Sequence, residues 1–391
     1  VIDMPRPADV AGLRVAVVNW RDPWHPSAGG AEQYAWQMAV GLVARGARVW
    51  YLTARAPGQS RRERRDGVEI VRVGSRLSVY PRALGWLAAR RWSFDVVIDC
   101  QNGIPFFTPW VLPRRVAVLC VMHHVHDAQF GVHFSPLVAA IGRFLEGPLA
   151  RLAYQRHACV AVSQSTVRAM RDRLAWTGPI HVVPNGLTPV SFDQAAVEAS
   201  PCGAPVLTWV GRLVAHKRVE RVLDIAERLS DKAVIEVIGR GPAATPLAAE
   251  VNARGLADQV RLRGFLPEED KRAAVAGSVL HLNTSQGEGW GLCVLEAAAL
   301  GVPTVAYDVD GLRDAIRDGE TGWLVRCDQR IEDVAERAVK ELSDPARRGE
   351  IAAACRRWAG QFDWEDSVTR MAELIVAAVH RNVRAGPASD A

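Results

Sequence analysis

The chain has 391 residues, of which 49% are hydrophobic and 23% charged, a globular composition long enough for two domains of about 150–200 residues. No run of about 18 apolar residues appears, which argues against a membrane-spanning helix, and the first twenty residues lack the basic start and apolar core of a secretory leader, so a cytoplasmic protein is expected. The net charge of +5 is unevenly shared: residues 1–190 hold 23 Arg, no Lys and 12 acidic groups, or +11, and residues 191–391 come to −6.

In chain order, the first strand is "LRVAVVNW". It leads through Ser27, Gly29 and Gly30 into a helix over 31–45. That turn can cradle a phosphate at a helix N-terminus, although it lacks the Gly-Lys-Ser/Thr ending of a P-loop and reads first as a tight strand–helix turn. The strands "ARVWYLT" and "GVEIVRV" flank the basic run "RRERR" at 61–65. The stretch 76–94 mixes Arg82, Arg90 and Arg91 with Trp86 and Trp92. Next come "FDVVIDC" and "RVAVLCVM", the latter ending in "HHVHD". There His123, His124 and Asp127 suit acid–base chemistry or polarisation of a substrate. Adjacent side chains on an extended segment diverge, which disfavours a metal site. A helical stretch at 135–155 alternates apolar residues with Arg. It is followed by "HACVAVS", a helix at 165–174 and "PIHVVP", where Asn185-Gly186 is a turn signal.

The segment 187–205, rich in Ser, Pro and Ala, marks the domain boundary. Beyond it the strand "APVLTWVG" ends at Gly211, and Arg212 and Lys217 sit in the following loop. They form either a diphosphate clamp or a solvated basic loop. Helices are expected at 219–229, 245–254, 267–276, 291–300 and 331–342, alternating with the strands "AVIEVIG", "QVRLRG", "SVLHLNT", "VPTVAY" and "GWLV". Within this half, "QGEGWGLCVLEAAALGVP" (286–303) places Glu288 in a glycine-rich loop and Glu296 one and a half turns into the next helix. The amides of Gly291, Leu292 and Cys293 can meet an anion there, and a carboxylate can hold a pair of sugar hydroxyls. Two patterns mislead. "DVD" at 308–310 resembles a metal-binding D-x-D, and "GRGPAA" at 239–244 imitates a dinucleotide turn. The first reads as a loop, and the second has Pro242 in the first helical turn and no evident acidic partner. The seven cysteines are scattered with no C-x-x-C pair, as expected of buried thiols in a reducing compartment.

Continuous Val/Ile/Leu strands alternating with helices give an α/β chain with two Rossmann-like parallel-sheet domains, covered on both faces. The expected division is an N-terminal acceptor domain over 1–190 and a C-terminal donor domain over 205–364. A last helix at about 365–380 returns to the first domain and permits hinge closure, and 381–391 form a disordered tail. Ligands in such folds bind beyond the C-terminal strand ends, here in an interdomain cleft.

Taken together, "VVPNG", "VGRLVAHK", "VRLRGFLPEEDK", the Glu288–Glu296 stretch and "AAALGVPTVAYDVDGLRDAIRDGETGWLV" occur in the order found in glycosyltransferase family 4. Nearly the whole chain resembles that family, which has the GT-B fold. The resemblance implies a retaining hexosyltransferase that uses a UDP- or GDP-sugar as co-substrate, without metal or other cofactor. Arg212 and Lys217 would neutralise the leaving diphosphate, Glu288 would contact the donor sugar, Glu296 would hold the ribose, and His123 would face the anomeric centre. Gly30, Gly211, Gly289, Trp290, Gly291 and Leu292 complete the donor site, and the backbone of Phe265 and Leu266 meets the base. Gly29, His124 and Asn185 fall on the acceptor side. The chain departs from the family in offering His124 and His126 beside His123, and in carrying Thr188 where the family has Asp.

The acceptor is a hydroxyl compound of open identity. Basic, aromatic and amphipathic stretches at 61–65, 76–94 and 137–156 suggest a lipid-linked or membrane-adjacent acceptor and peripheral contact with an anionic membrane on its inner face. No nucleic-acid module is recognisable. The rival readings are a sugar phosphorylase or epimerase on the same fold, a catalytically silent partner subunit, and an NAD oxidoreductase resting on "GRGPAA".

Overall fold

The computed structural model describes residues 9–188 and 204–384. It divides into two units, Val1–Gly186 with Asp363–Ala391, and Leu187–Phe362. Most of the expected boundary segment 187–205 and residues 385–391 of the expected tail lie outside the described residues.

In the first unit the strands are β1 (Arg14–Val18), β2 (Arg48–Thr53), β3 (Arg62–Arg65), β4 (Val68–Arg72), β5 (Val96–Gln101), β6 (Ala117–Met122), β7 (Ala158–Ala161) and β8 (Ile180–Val182). They form one sheet in the order β3-β4-β2-β1-β5-β6-β7-β8. Only the β3–β4 pair is antiparallel. Every residue of β5 and β6 is buried, Asp99 and Gln101 of β5 included, as expected of central strands in a sheet covered on both faces. The covering helices are α1 (Gly30–Ala44), α2 (Val79–Ala88), α3 (Asp127–His133), α4 (Pro136–Phe144), α5 (Ala150–Tyr154) and α6 (Gln164–Asp172). On one face Leu52, Val71, Phe94 and Phe106 pack with α2, and on the other Met122, Tyr154, Met170 and Trp176 pack together. Each fully buried Leu or Met side chain here contributes about 1.5–3 kcal/mol before chain entropy is counted.

The second unit repeats the alternation with β9 (Val206–Val210), α7 (Arg221–Leu229), β10 (Val234–Ile238), α8 (Ala244–Ala253), β11 (Val260–Gly264), α9 (Glu268–Ala276), β12 (Leu280–Asn283), α10 (Leu292–Ala299), β13 (Thr304–Tyr307), α11 (Leu312–Ala315), β14 (Gly322–Val325), α12 (Ile331–Leu342) and α13 (Pro345–Ala359). Its sheet is wholly parallel, in the order β11-β10-β9-β12-β13-β14. The chain then re-enters the first unit as α14 (Trp364–Arg384). Helix α14 lies so close to α1 that a Cβ on Gly41 would sit 2.5 Å from Val368, so the glycine permits that approach.

One expectation is corrected. Residues 381–384, assigned to a disordered tail, continue α14, because the helical spacing of the buried Val368, Met371, Ala372, Ile375 and Ala378 carries the helix past His380. "RRERR" is largely β3, an edge strand whose charges pair locally, Arg65 with Glu63 and Arg64 with Glu69. The stretch 76–94 is mostly a core helix. Val79, Ala83 and Leu87 recur every fourth residue and are buried, and Trp86 packs on Phe94 at 5.8 Å, which leaves Trp92 as the exposed aromatic.

Candidate active site

In the second unit the chemistry gathers around the loop from β12 to α10. Glu288 accepts from Lys217 Nζ and, at 2.7 Å, from Ser285 Oγ. Burial pushes the Glu288 carboxyl up, but the charge and hydrogen bond of Lys217, with Ser285, outweigh it. The net direction is below the usual carboxylate value. Ionised Glu288 is thus maintained in a protected place.

The loop carrying Glu288 is braced from β13. The Glu288 N–H donates to the Asp310 carbonyl at 2.9 Å. Gly311 has φ +77, and a Cβ there would lie 2.3 Å from the Glu288 carbonyl oxygen. Asp308 is paired with Arg313 at 2.9 Å. The "DVD" stretch is therefore the support of the Glu288 loop, a role its sequence did not suggest.

Gly291 caps α10 with φ +82, a left-handed conformation that favours glycine. Leu292 and Cys293 follow in the first helical turn, where N–H groups have no intrahelical acceptor. Glu296, one turn further, lies 3.2 Å from Lys271 Nζ with 38% of its side chain exposed. Desolvation pushes its carboxyl up, against the attraction of Lys271. Ser285 and Lys271 were not singled out from the sequence. Lys271 lies in "VRLRGFLPEEDK", but no local pattern ties it to Glu296.

The loop after β9 is locked to this one. Thr284 Oγ1 donates to the Lys217 carbonyl at 2.8 Å and accepts from Trp209 Nε1 at 2.9 Å. The Gln286 N–H donates to the His216 carbonyl at 2.9 Å. Arg212 is exposed and has no side-chain partner among the described residues, so its guanidinium is open to an anion. The glycines of "GRGPAA" serve close packing against this same loop. A Cβ on Gly239 would meet the Gly211 carbonyl oxygen at 1.8 Å, and one on Gly241 would meet the Leu213 carbonyl oxygen at 2.3 Å. Helix α8 begins only at Ala244, after Pro242, so the stretch is not a dinucleotide turn.

Two donor-site expectations lie at the rim of this group. Phe265 is 65% exposed beneath the Arg240 guanidinium, 4.8 Å from its ring centre, and Leu266 is half-buried. Trp290 is buried instead, edge-on to Phe362 at 5.1 Å, with Nε1 unpartnered among the described residues. Its ring therefore packs the base of the loop.

In the first unit His123 follows β6 and is 6% exposed. Its ring stands edge-on to Tyr34 at 5.1 Å, and its Nε2 has no partner among the described residues. Burial, helped by the charge of His126, lowers its pKa to about 3, so the imidazole is neutral at physiological pH. His126 is committed elsewhere. Glu146 Oε1 accepts from the His126 backbone N–H at 2.7 Å and faces Nδ1 at 3.1 Å. Glu146 sits in a π-helical turn, Leu145–Leu149, that the sequence did not reveal. The His124 ring lies 5.2 Å from that of His126. Asp127 is taken by Arg173, whose Nε donates to it at 2.9 Å. The "HHVHD" residues are therefore drawn to different partners, and among the described residues no group of three or more His, Cys, Asp and Glu could hold a metal ion.

Gly30 opens α1, as the turn predicts, but the Gly29 N–H is already occupied by Glu32 Oε2 at 2.7 Å. Asn185 is 4% exposed with Oδ1 unpartnered among the described residues. A Cβ on the next residue, Gly186, would fall 2.2 Å from the Trp364 nitrogen, so Asn185-Gly186 is also the close passage between β8 and α14.

Comparison with known proteins follows this geometry. A family model described as Glycosyltransferase Family 4 matches residues 28–189, and one described as Glycosyl transferases group 1 matches residues 191–358. A D-inositol 3-phosphate glycosyltransferase of Streptomyces scabiei is 30% identical over 327 residues, covering 77% of this chain and 67% of that protein. The enzyme of the same name from Thermobispora bispora is 34% identical over 202 residues, 48% of this chain, and the match spans about half that protein, 47%. Among solved structures, sucrose-phosphate synthase from Thermosynechococcus elongatus aligns with a TM-score of 0.78 at 19% identity, over 95% of this chain and 99% of that one, a likeness of fold alone.

Proposed function

Because the chain belongs to glycosyltransferase family 4 and has the GT-B fold, we propose that it moves a hexosyl group from a UDP- or GDP-sugar to a hydroxyl acceptor, with retention and without a metal. The observation that carries this reading is the cluster of Lys217, Glu288 and Ser285 beside the first turn of α10, with Arg212 open in the neighbouring loop. The acceptor hydroxyl is assigned to a lipid-linked or membrane-adjacent molecule, on the +11 charge of residues 1–190.

In such a transfer the bond from the anomeric carbon to the diphosphate oxygen breaks, and a bond to the acceptor oxygen forms. The acceptor proton passes to the departing phosphate. Charge developing on the diphosphate is the largest quantity a protein can stabilise here. Arg212, Lys217 and the N–H groups of Leu292 and Cys293 supply positive charge without Mg²⁺. Glu288 accepts hydrogen bonds from the donor sugar, and Glu296 accepts from the ribose hydroxyls, with Lys271 holding it in place. Neutral His123, whose Nε2 is unpartnered among the described residues, contacts the reacting sugar.

The test is a thermal-shift and donor-hydrolysis panel of UDP- and GDP-sugars in the presence of EDTA. One nucleotide series should raise the melting temperature and release its diphosphate slowly, and Lys217→Ala and Glu288→Ala should abolish the release. A panel in which no nucleotide sugar binds, or in which hydrolysis needs a divalent metal, would overturn the reading.

A further inference from the structure

An ordinary surface helix turns its apolar stripe inward and its polar face to water. Helix α4 does the reverse. Its inward residues are Ala139 and Gly142. Gly142 packs so closely on Phe130 of α3 that a Cβ would meet that ring at 2.7 Å. This contact settles which side of α4 faces the protein. The opposite side carries Leu137, Ile141 and Phe144, spaced four and three residues apart, at 73%, 51% and 54% exposure. Val138 and Leu152 are exposed as well.

Along the chain, the charges flanking this stripe are mostly basic. Between residues 128 and 171 the single acidic residue is Glu146, which is fully buried against His126, while Arg143 and Arg156 are exposed. Among the described residues, no helix is long and apolar enough to cross a membrane.

We propose that α4 is a membrane-docking element. Leu137, Ile141 and Phe144 would enter the headgroup–acyl boundary of an anionic bilayer, with Arg143 and Arg156 on its lipid phosphates. The outward stripe is apolar and carries the exposed Arg143 on the same helix, so it matches an anionic apolar–polar boundary. A second copy of the chain would bring the same positive charge to the same face. The contact expected at 61–65, 76–94 and 137–156 is thereby narrowed to α4, which falls largely within the last of these stretches. The inference concerns α4 alone and stands apart from the donor chemistry.

The experiment is co-sedimentation of the full chain, without nucleotide sugar, with vesicles of phosphatidylcholine alone and of equal parts phosphatidylcholine and phosphatidylglycerol. It is accompanied by light scattering for the oligomeric state. Binding should favour the anionic vesicles, weaken with salt, and fall at least about tenfold in the triple variant Leu137→Ser, Ile141→Ser, Phe144→Ser. Because the three side chains are exposed, the variant should keep the wild-type melting temperature. Leu77→Ser, on another exposed position, should bind as the wild type does. Absence of binding to anionic vesicles, equal binding by the triple variant, or a wild-type dimer that the triple variant dissociates would each overturn the proposal.

Discussion

Each unit contains a glycine-bearing turn that leads from a strand into a helix, and the two turns have opposite uses of their polar groups. Before α1, the Gly29 amide is satisfied by Glu32, and Glu32 in turn lies 3.4 Å from Arg21. Before α10, the carboxylate belongs to the loop, at Glu288, and its partners Lys217 and Ser285 come from the loop after β9 and the end of β12. The first turn closes on itself and stabilises its own helix. The second gathers charge from separate segments beside first-turn amides, which is the arrangement an anionic ligand can exploit. Glycine-before-helix spacing alone does not distinguish them; the location of the nearest carboxylate does.

The largest expected effect is at Lys217. In Lys217→Ala the buried Glu288 loses its cation, and diphosphate departure loses a charge, so turnover should fall roughly 10²–10³-fold. Glu288→Gln in the same background tests the coupling. If the two residues act as one unit, the double variant loses little more than the single. Independent, additive losses in steady-state kinetics would break the contrast between the two turns.

Next is Gly291→Ala. The residue needs φ +82, and its Cβ would sit 3.1 Å from Leu312 and 3.3 Å from Ala315. The left-handed conformation alone costs an ordinary residue about 1–2 kcal/mol. Denaturant unfolding should show that loss, and donor affinity should drop with it because the first-turn amides shift. A variant with wild-type stability would mean that the cap adjusts freely.

The fold was legible because continuous Val and Ile strands and helical spacing are local signals, and both sheets are built from them. The charged residues of the second-unit site were legible for a related reason: Arg212, Lys217, Glu288 and Glu296 stand at strand ends and helix starts, where sequence position implies location. What could not be read is what partner each group finds. That Glu146 reaches His126 depends on a π-turn, and that Asp310 and Gly311 hold the Glu288 backbone depends on two loops meeting. Nor could the partners within 61–65 and 76–94 be read, because Arg and Trp composition says nothing of pairing. Arg65 is neutralised by Glu63 two residues away, and Trp86 is anchored by Phe94.

Acid should stress both units alike. Burial holds His123 at about 3 and His281 at about 4, the latter against a hydrogen bond with Thr208 that raises it. Both folded values lie below the unfolded one, so the unfolded chain binds more protons between the two. Each histidine contributes stability that is fully present above about pH 6.5 and declines toward its folded value, with a slope of at most about 1.4 kcal/mol per pH unit. Glu288, also lowered, adds its own loss at more acidic pH. Urea unfolding at a series of pH values should show the decline, and His281→Asn should reduce its slope above about pH 4, leaving the share that His123 contributes. A profile unchanged by that substitution would place the acid sensitivity elsewhere.

The smallest effect is expected at the self-contained turn. Glu32→Ala frees the Gly29 amide and removes the carboxylate 3.4 Å from Arg21, and a lost N-terminal cap of this kind costs about 1 kcal/mol. Stability should fall by that amount, while the thermal shift produced by a nucleotide sugar on the second unit should stay at its wild-type size. If Glu32→Ala instead changed nucleotide affinity, the Gly29 turn would be part of the ligand site and the two turns would be equivalent. Arg21→Ala sharpens the distinction. Removing the cation leaves the Glu32–Gly29 cap in place, so it should cost less than Glu32→Ala if the turn serves only its own helix.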